Sequence, residues 1–301
     1  MDSPHGAAVK AEDFGLKGPR GWAFRGVGID AAPGSLIAVE GPSGSGRTCL
    51  LLALTGRMKP TRGHAEVGGH HLPKRMTAVR RIAALGPVSG VNELDQALTV
   101  AEQLREGALL QRHYGAPVRA MLRPRAERRA AAEARIAAAL EAAGLDLAAL
   151  PKGERTSVRD LERLEAVRLS VAIALLGSPG LLALDDLDLK LSDTERVEAW
   201  DLLRSVAGRG ITVLAVCSEA PADAIVLRTS PKEPDAPDAP DASDTPAVAE
   251  SDADAEADAE ADAEADAEAD GGSETDTKTD TKTENDDTKG ADDALAEAGR
   301  A

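Results

Sequence analysis

The sequence predicts an α/β body followed by an acidic tail that has no core of its own. Three observations carry that division. Short apolar, β-leaning runs alternate with helical stretches through residues 1–230, and such alternation makes a mostly parallel sheet covered on both faces. One of those runs, Ser35 to Glu40, leads straight into a glycine-rich loop and then a helix. The charge is also uneven. Of 52 acidic and 35 basic residues, residues 231–301 hold 25 and 5, so the tail carries −20 and the body +3. The overall −17 therefore belongs to the tail and says little about what the body binds. A body of this length can bury a sizeable core. With aromatics at 2% of the chain, that core must be Leu, Val, Ile and Ala.

Taken in order, residues up to about Lys17 read as a loose lead-in to a first strand. Trp22 to Ile29 alternates in part, and Ala32, Pro33 and Gly34 make a turn into the strand Ser35 to Glu40. Gly41-Pro42-Ser43-Gly44-Ser45-Gly46-Arg47-Thr48 follows, and Cys49 to Leu54 reads as a buried helix. In such a loop, small residues let several backbone N–H groups converge on one anion, and the helix start adds partial positive charge. The phosphate-binding consensus G-x-x-x-x-G-K-[ST] has Gly41, Gly46 and Thr48 in register, with Arg47 where lysine is expected.

Lys59 to Gly63 is a turn, His64 to Val67 a short strand, and Arg81 to Leu85 another. Thr99 to about Ala143 is helical and rich in Ala, Arg and Glu, interrupted at Pro117 and Pro124. Arg159 to Leu176 reads as one helix, Leu181 to Leu184 as a buried strand ending in Asp185-Asp186, Thr194 to Val206 as a helix, and Ile211 to Val216 as the last strand. The arginines between Arg119 and Arg135 are interleaved with Ala and Glu, which fits a solvated helical face better than a nucleic-acid surface. No nucleic acid is expected as a partner.

Cys49 and Cys217 are too few for a disulfide framework or a cysteine zinc site, and each sits beside an apolar run as a small buried thiol would. The histidines lack metal-site spacing, and the longest apolar stretch, Leu169 to Leu184, is broken by Ser178, Pro179 and Gly180. A soluble, cytosolic protein is expected. The tail spaces Asp with Pro, then alternates acid with Ala from Asp252 to Asp270. Acids at every second position repel one another on a helix, and nothing there can bury a core, so disorder is expected over residues 231–301.

In this order and spacing the chain resembles the ATP-binding subunit of ABC transporters, from about Trp22 to Glu219. The residues that carry the resemblance are Gly41 to Gly46, Gly63 to Gly69 after Lys59-Pro60, Leu98 to Glu102, Val171 to Pro179, Leu181 to Asp186, and Gly210 to Val216. It implies the P-loop NTPase fold of the ABC ATPase type, with a helical subdomain at about residues 99–165 inside a 1–230 domain. It also implies ATP and Mg²⁺ as cofactors. Residues 41–48 would hold the phosphates, Thr48 and Asp185 the metal, and Asp186 would stand where a glutamate polarises the attacking water. An adenine-stacking aromatic is expected about twenty residues before Gly41, where Trp22 is the nearest candidate and Phe14 the next.

The resemblance also shows where this chain departs. Arg47 replaces the loop lysine, Gly90 the Q-loop glutamine, Asp186 the glutamate, Ser218 the switch histidine, and Leu161-Glu162-Arg163-Leu164-Glu165 the signature L-S-G-G-Q. Glutamates at a helix start would repel the phosphate that the signature grips. Asp188 and Asp193 read as solvated loop acids. The resemblance thus implies a nucleotide-binding subunit that pairs with a separate membrane permease, on the inner face of the cell membrane, and, where the full complex hydrolyses ATP briskly, with a second cassette subunit that supplies intact motifs. The five altered positions together leave open a non-catalytic pseudo-ATPase that acts as a scaffold or regulator.

Overall fold

The computed structural model describes residues 6–19, 21–115 and 124–229. The first half of the body holds β1 (Val9–Gly18), β2 (Gly21–Ala31), β3 (Leu36–Glu40), α1 (Arg47–Leu54), β4 (Arg62–Val67), β5 (His70–Leu72), α2 (Met76–Ile82) and β6 (Ala83–Leu85). The second half holds α3 (Val100–Gly115), α4 (Arg125–Ala143), α5 (Arg163–Leu175), β7 (Leu181–Leu184), α6 (Asp193–Gly208), β8 (Thr212–Cys217) and β9 (Ile225–Arg228). The acidic tail expected to be disordered lies outside the described residues.

The strands form two sheets. One is wholly parallel, in the order β6-β7-β8-β3-β9. Its central strands are apolar but for Glu40 and Thr212, because both faces are covered. Ile37, Val39, Leu181, Ala183, Leu214 and Val216 point to one side, where they pack with the buried face of α1 and with the second sheet. Leu36, Ala38, Leu182, Leu184, Val213 and Ala215 point to the other, among residues of α3 to α6. The period of two along each strand thus divides one apolar run between two cores. The second sheet is antiparallel, in the order β2-β1-β4-β5.

The α/β class stands, and the elements differ from the sequence expectation in several places, the short strand β5 among them. The lead-in to Lys17 is itself a strand, β1. Register shifts after Ala11 and a left-handed Asp13 (φ 46°) break the alternation that would have marked it. Arg81 and Ile82 close a helix rather than open a strand. The helix expected from Arg159 begins only at Arg163, after a 3₁₀ turn at Val158–Asp160. Beyond β8 lies one more strand, β9, not expected from its short apolar run; of Ile225, Val226 and Leu227 only Leu227 is buried. Among the described residues no helix is long and apolar enough to cross a membrane.

One buried hydroxyl helps tie the segment before β1 to the parallel sheet, beside the Ala7 amide that donates to the Gly180 carbonyl at 2.8 Å. Thr212 is fully buried; its Oγ1 donates to the Ala7 carbonyl at 2.7 Å and accepts from the Gly34 amide at 3.0 Å. Thr212→Val keeps the shape and leaves both backbone groups unpaired, so a loss of about 2 kcal/mol is expected. Urea unfolding followed by circular dichroism checks this, and an unchanged midpoint would count against the tie.

Candidate functional site

In a parallel sheet, ligands bind at the carboxyl ends of the strands. Here the loops after β3, β7 and β8 meet at one such crevice, bringing together residues 41–48, 185–186 and 217–218. The loop after β3 lies on the second sheet. Gly46 has φ 83°, and a Cβ there would collide with the Ala23 carbonyl of β2. Only glycine combines that left-handed backbone with that approach. Pro42, Ser43 and Gly44 face solvent, while Ser45 is buried with its hydroxyl 2.6 Å from that of Thr229. α1 starts with no side-chain cap and no acidic residue in its first turn. Its opening N–H groups are left for an anion. The cradle fits a phosphate.

Thr48 and Asp185 meet across the crevice. Thr48 Oγ1 donates to Asp185 Oδ2 at 2.7 Å, and the Asp186 amide donates to Asp185 Oδ1 at 3.1 Å. Asp185 is 4% exposed. Burial pushes its carboxyl above the usual range, the Thr48 hydrogen bond opposes that, and the charge of Asp186 adds to it. A hydroxyl and a carboxylate are the oxygen donors that a hard cation such as Mg²⁺ takes, so the pair fits that ion.

Arg47 reaches past its own loop. Its Nη1 donates to the Cys217 carbonyl at 2.9 Å, and its Nη2 lies 3.7 Å from Asp186 Oδ1. Asp186 itself is held at φ 44°. The structure brings Gly41 to Thr48, Asp185 and Asp186 to one place. Trp22 lies on β2 next to Ala23, half-buried, with the Lys17 ammonium 5.6 Å from its ring centroid. Phe14 is fully buried against Phe24, with ring centroids 5.7 Å apart, and is a core aromatic rather than a ring that can meet a ligand.

The altered positions have been absorbed locally. Gly90 adopts φ 72° and donates its amide to Glu93 Oε1 at 2.8 Å. A glutamine side chain is disfavoured on that backbone. Glu162 and Glu165 do not lie along a longer helix; they cap its start, with the Glu162 amide donating to Glu165 Oε2 at 2.8 Å. The Ser218 amide donates to Asp188 Oδ2 at 2.7 Å, so Asp188 ties the loop after β7 to the loop after β8 instead of standing free in solvent. Asp193 is the exposed acid expected, at the start of α6 beside Arg196. Cys217 is the buried thiol expected, pushed up to about 12 chiefly by burial, whereas Cys49 is only half-buried.

Several neighbours of the site carry no mark in the sequence. Ala23 and Thr229 touch the loop through a backbone carbonyl and a buried hydroxyl, from strands far away in the chain. A cavity of about 190 Å³ beside Asp185 and Asp186 is lined also by Ser89, Glu93, Gln96 and Ser170. Of these, Gln96 could have been noticed as a glutamine six residues beyond Gly90. Arginines 119–123 lie outside the described residues. On α4, Arg129 pairs with Glu133 at 2.8 Å on the exposed surface.

Comparison with known proteins places this geometry. Residues 24–187 match the family described as ABC transporter. Over 193 residues the chain is 35% identical to the daunorubicin resistance ATP-binding protein DrrA3 of Streptomyces coeruleorubidus, covering 64% of this chain and 54% of that protein. Over 192 residues it is 30% identical to the Nod factor export ATP-binding protein I of Paraburkholderia xenovorans, covering 63% and 55%. The chain thus spans about half the length of the curated relatives it matches.

Among solved structures, the dimeric bacterial ABC transporter cassette MJ0796 superposes with a TM-score of 0.56 at 20% identity, over 75% of this chain and 97% of that one. CbiO1 from Clostridium perfringens, part of the ABC transporter complex cbiONQ, does so with 0.55 at 20%, over 70% and 78%. Identity that low speaks for the fold alone. The family match takes in the glycine-rich loop and both aspartates after β7, and the chain belongs to the ABC transporter family, in its ATP-binding part.

Proposed function

We propose that this chain is the nucleotide-binding subunit of an ABC-type transporter, binding ATP–Mg²⁺ through residues 41–48 and Asp185 with weak or absent hydrolysis. The observation that carries the reading is the open start of α1 beside the Thr48–Asp185 pair. The loop amides and the helix start hold the phosphates; Thr48 and Asp185 hold the cation, which when bound offsets phosphate charge. Trp22 is the proposed adenine contact. Asp186 is the group nearest the role of a water-polarising base, but it is one methylene shorter than glutamate and faces Arg47. Placement errors of about 1 Å can cost on the order of a hundredfold in rate.

The relatives named for daunorubicin resistance and for Nod factor export support an export role beside a separate membrane permease. In this reading the chain sits at the inner face of the membrane, its helical subdomain spans about residues 99–165, and residues 231–301 form an independent acidic tail. The dimeric cassette among the structural neighbours supports pairing with a second ATPase subunit. A non-catalytic scaffold or regulator is favoured by a different observation, the left-handed backbone at Gly90 together with the self-capped start of α5.

Three measurements test these readings. Equilibrium dialysis at millimolar nucleotide with Mg²⁺ is expected to show ATP bound to the purified chain; no binding removes the first proposal. Asp185→Asn is expected to weaken Mg²⁺-dependent ATP binding by at least about tenfold. ATP turnover by the wild type that disappears in this variant would instead rule out the scaffold. Arg47→Lys alone is expected to leave hydrolysis at its wild-type level, because Gly90, Asp186 and Ser218 are unchanged; recovery of brisk turnover in a phosphate-release assay would contradict that.

The raised Asp185 carboxyl also has a signed consequence for stability. With its folded-state value above the unfolded one, the folded protein holds a proton that the unfolded chain has lost, so stability falls as pH rises through that window. Above that window the buried charge stands without a cation to offset it. Nucleotide-free Asp185→Asn is therefore expected to melt at or above the wild-type temperature at pH 8, and a clearly lower melting temperature would refute the assignment of Asp185 as a destabilising buried charge.

A further inference from the structure

The guanidinium of Arg47 crosses the ends of the sheet. α1 starts after β3, yet the side chain passes the end of β8, donates to the Cys217 carbonyl at 2.9 Å, and comes within 3.7 Å of the Asp186 carboxylate after β7. It is 15% exposed, against 39% for Asp186, so the cation is held under the surface with its counter-ion at the mouth. In the nucleotide-binding reading above, a phosphate chain seated on the loop amides and the first turn of α1 would run out over these same strand ends, and its outermost phosphate would meet Arg47. That place already holds an anion.

We infer that Asp186 stands in for a terminal phosphate, and that the Arg47–Asp186 pair makes this site hold a nucleoside diphosphate nearly as tightly as a triphosphate. The inference rests on the nucleotide-binding reading above and sharpens it. A third phosphate must take the guanidinium away from Asp186 and then lie beside that carboxylate, whereas a diphosphate leaves the pair and the Cys217 hydrogen bond in place. Lysine would behave differently. It is a compact point charge on a flexible stem, without the planar fork that lets Arg47 serve a carbonyl and a carboxylate together.

The test compares ADP and ATP, each with Mg²⁺, by isothermal titration of the wild type, Asp186→Asn and Arg47→Lys. Asparagine tolerates the left-handed backbone at position 186 and removes only the competing charge. Cooperative thermal melting of each protein establishes folding first, and either variant suffices for the comparison. In the wild type the two Kd values are expected to agree within about threefold. In both variants the preference for ATP is expected to rise about tenfold, the scale of one charge-assisted contact regained. A wild-type preference for ATP of tenfold or more, or a ratio that neither variant moves, overturns the inference while nucleotide binding stands. Failure of the wild type to bind either nucleotide overturns the binding reading and this inference with it.

Discussion

The site depends on one close approach, the backbone of Gly46 lying on the Ala23 carbonyl of β2. No side chain fits there, so the loop rests on a strand of the other sheet, and the hydrogen bonds of Ser45, Arg47 and Thr48 hold it from the other side. α1 is locked behind it by Leu50, Leu51 and Leu54, all fully buried in the core that the two sheets share. The start of the helix then faces outward with its amides uncapped. The helix body is buried and its uncapped start lies at the crevice, two sides of the same packing.

Opposite that helix start, Asp185 is a charge held in a poorly solvated place. Its hydrogen bonds from Thr48 and from the Asp186 amide offset part of the desolvation, and burial still prevails in raising its carboxyl. A group kept under that tension gains from any cation that arrives, which is what a binding site needs from its free state. The unusual groups around it are relaxed by comparison. Gly90 and Glu93, Glu162 and Glu165, and Ser218 and Asp188 each satisfy one another within a short reach. Asp185 is thus held against its own desolvation, while Gly90, Glu162 and Ser218 lie in satisfied loop and cap geometry.

Much of the body was legible in the sequence because its physics is local. Leu181 to Leu184 and Ile211 to Val216 read as buried strands from their apolar runs, and the glycine pattern from Gly41 to Gly46 marked the loop between strand and helix. Where the local signal failed, a tertiary reason can be named. β1 carries a left-handed Asp13 that interrupts its alternation, and β9 is an edge strand with little to bury. The start of α5 was read too early because Arg159 to Leu161 share the composition of a helix while Glu165 caps Glu162 and sets the first turn later.

The sequence by itself marked the buried strands β3, β7 and β8, the glycine-rich loop of residues 41–48, the aspartate pair, and the set of five altered positions, since each is a property of neighbouring residues. Only the tertiary structure decided how those residues answer one another. It brought Ala23 and Thr229 onto the loop, set Asp188 against the Ser218 amide, and carried Arg47 across β8 to Cys217 and Asp186. Apart from the Ala23 contact, which the antiparallel sheet supplies, a parallel sheet is the reason: every strand delivers its carboxyl end, and whatever follows it, to the same edge.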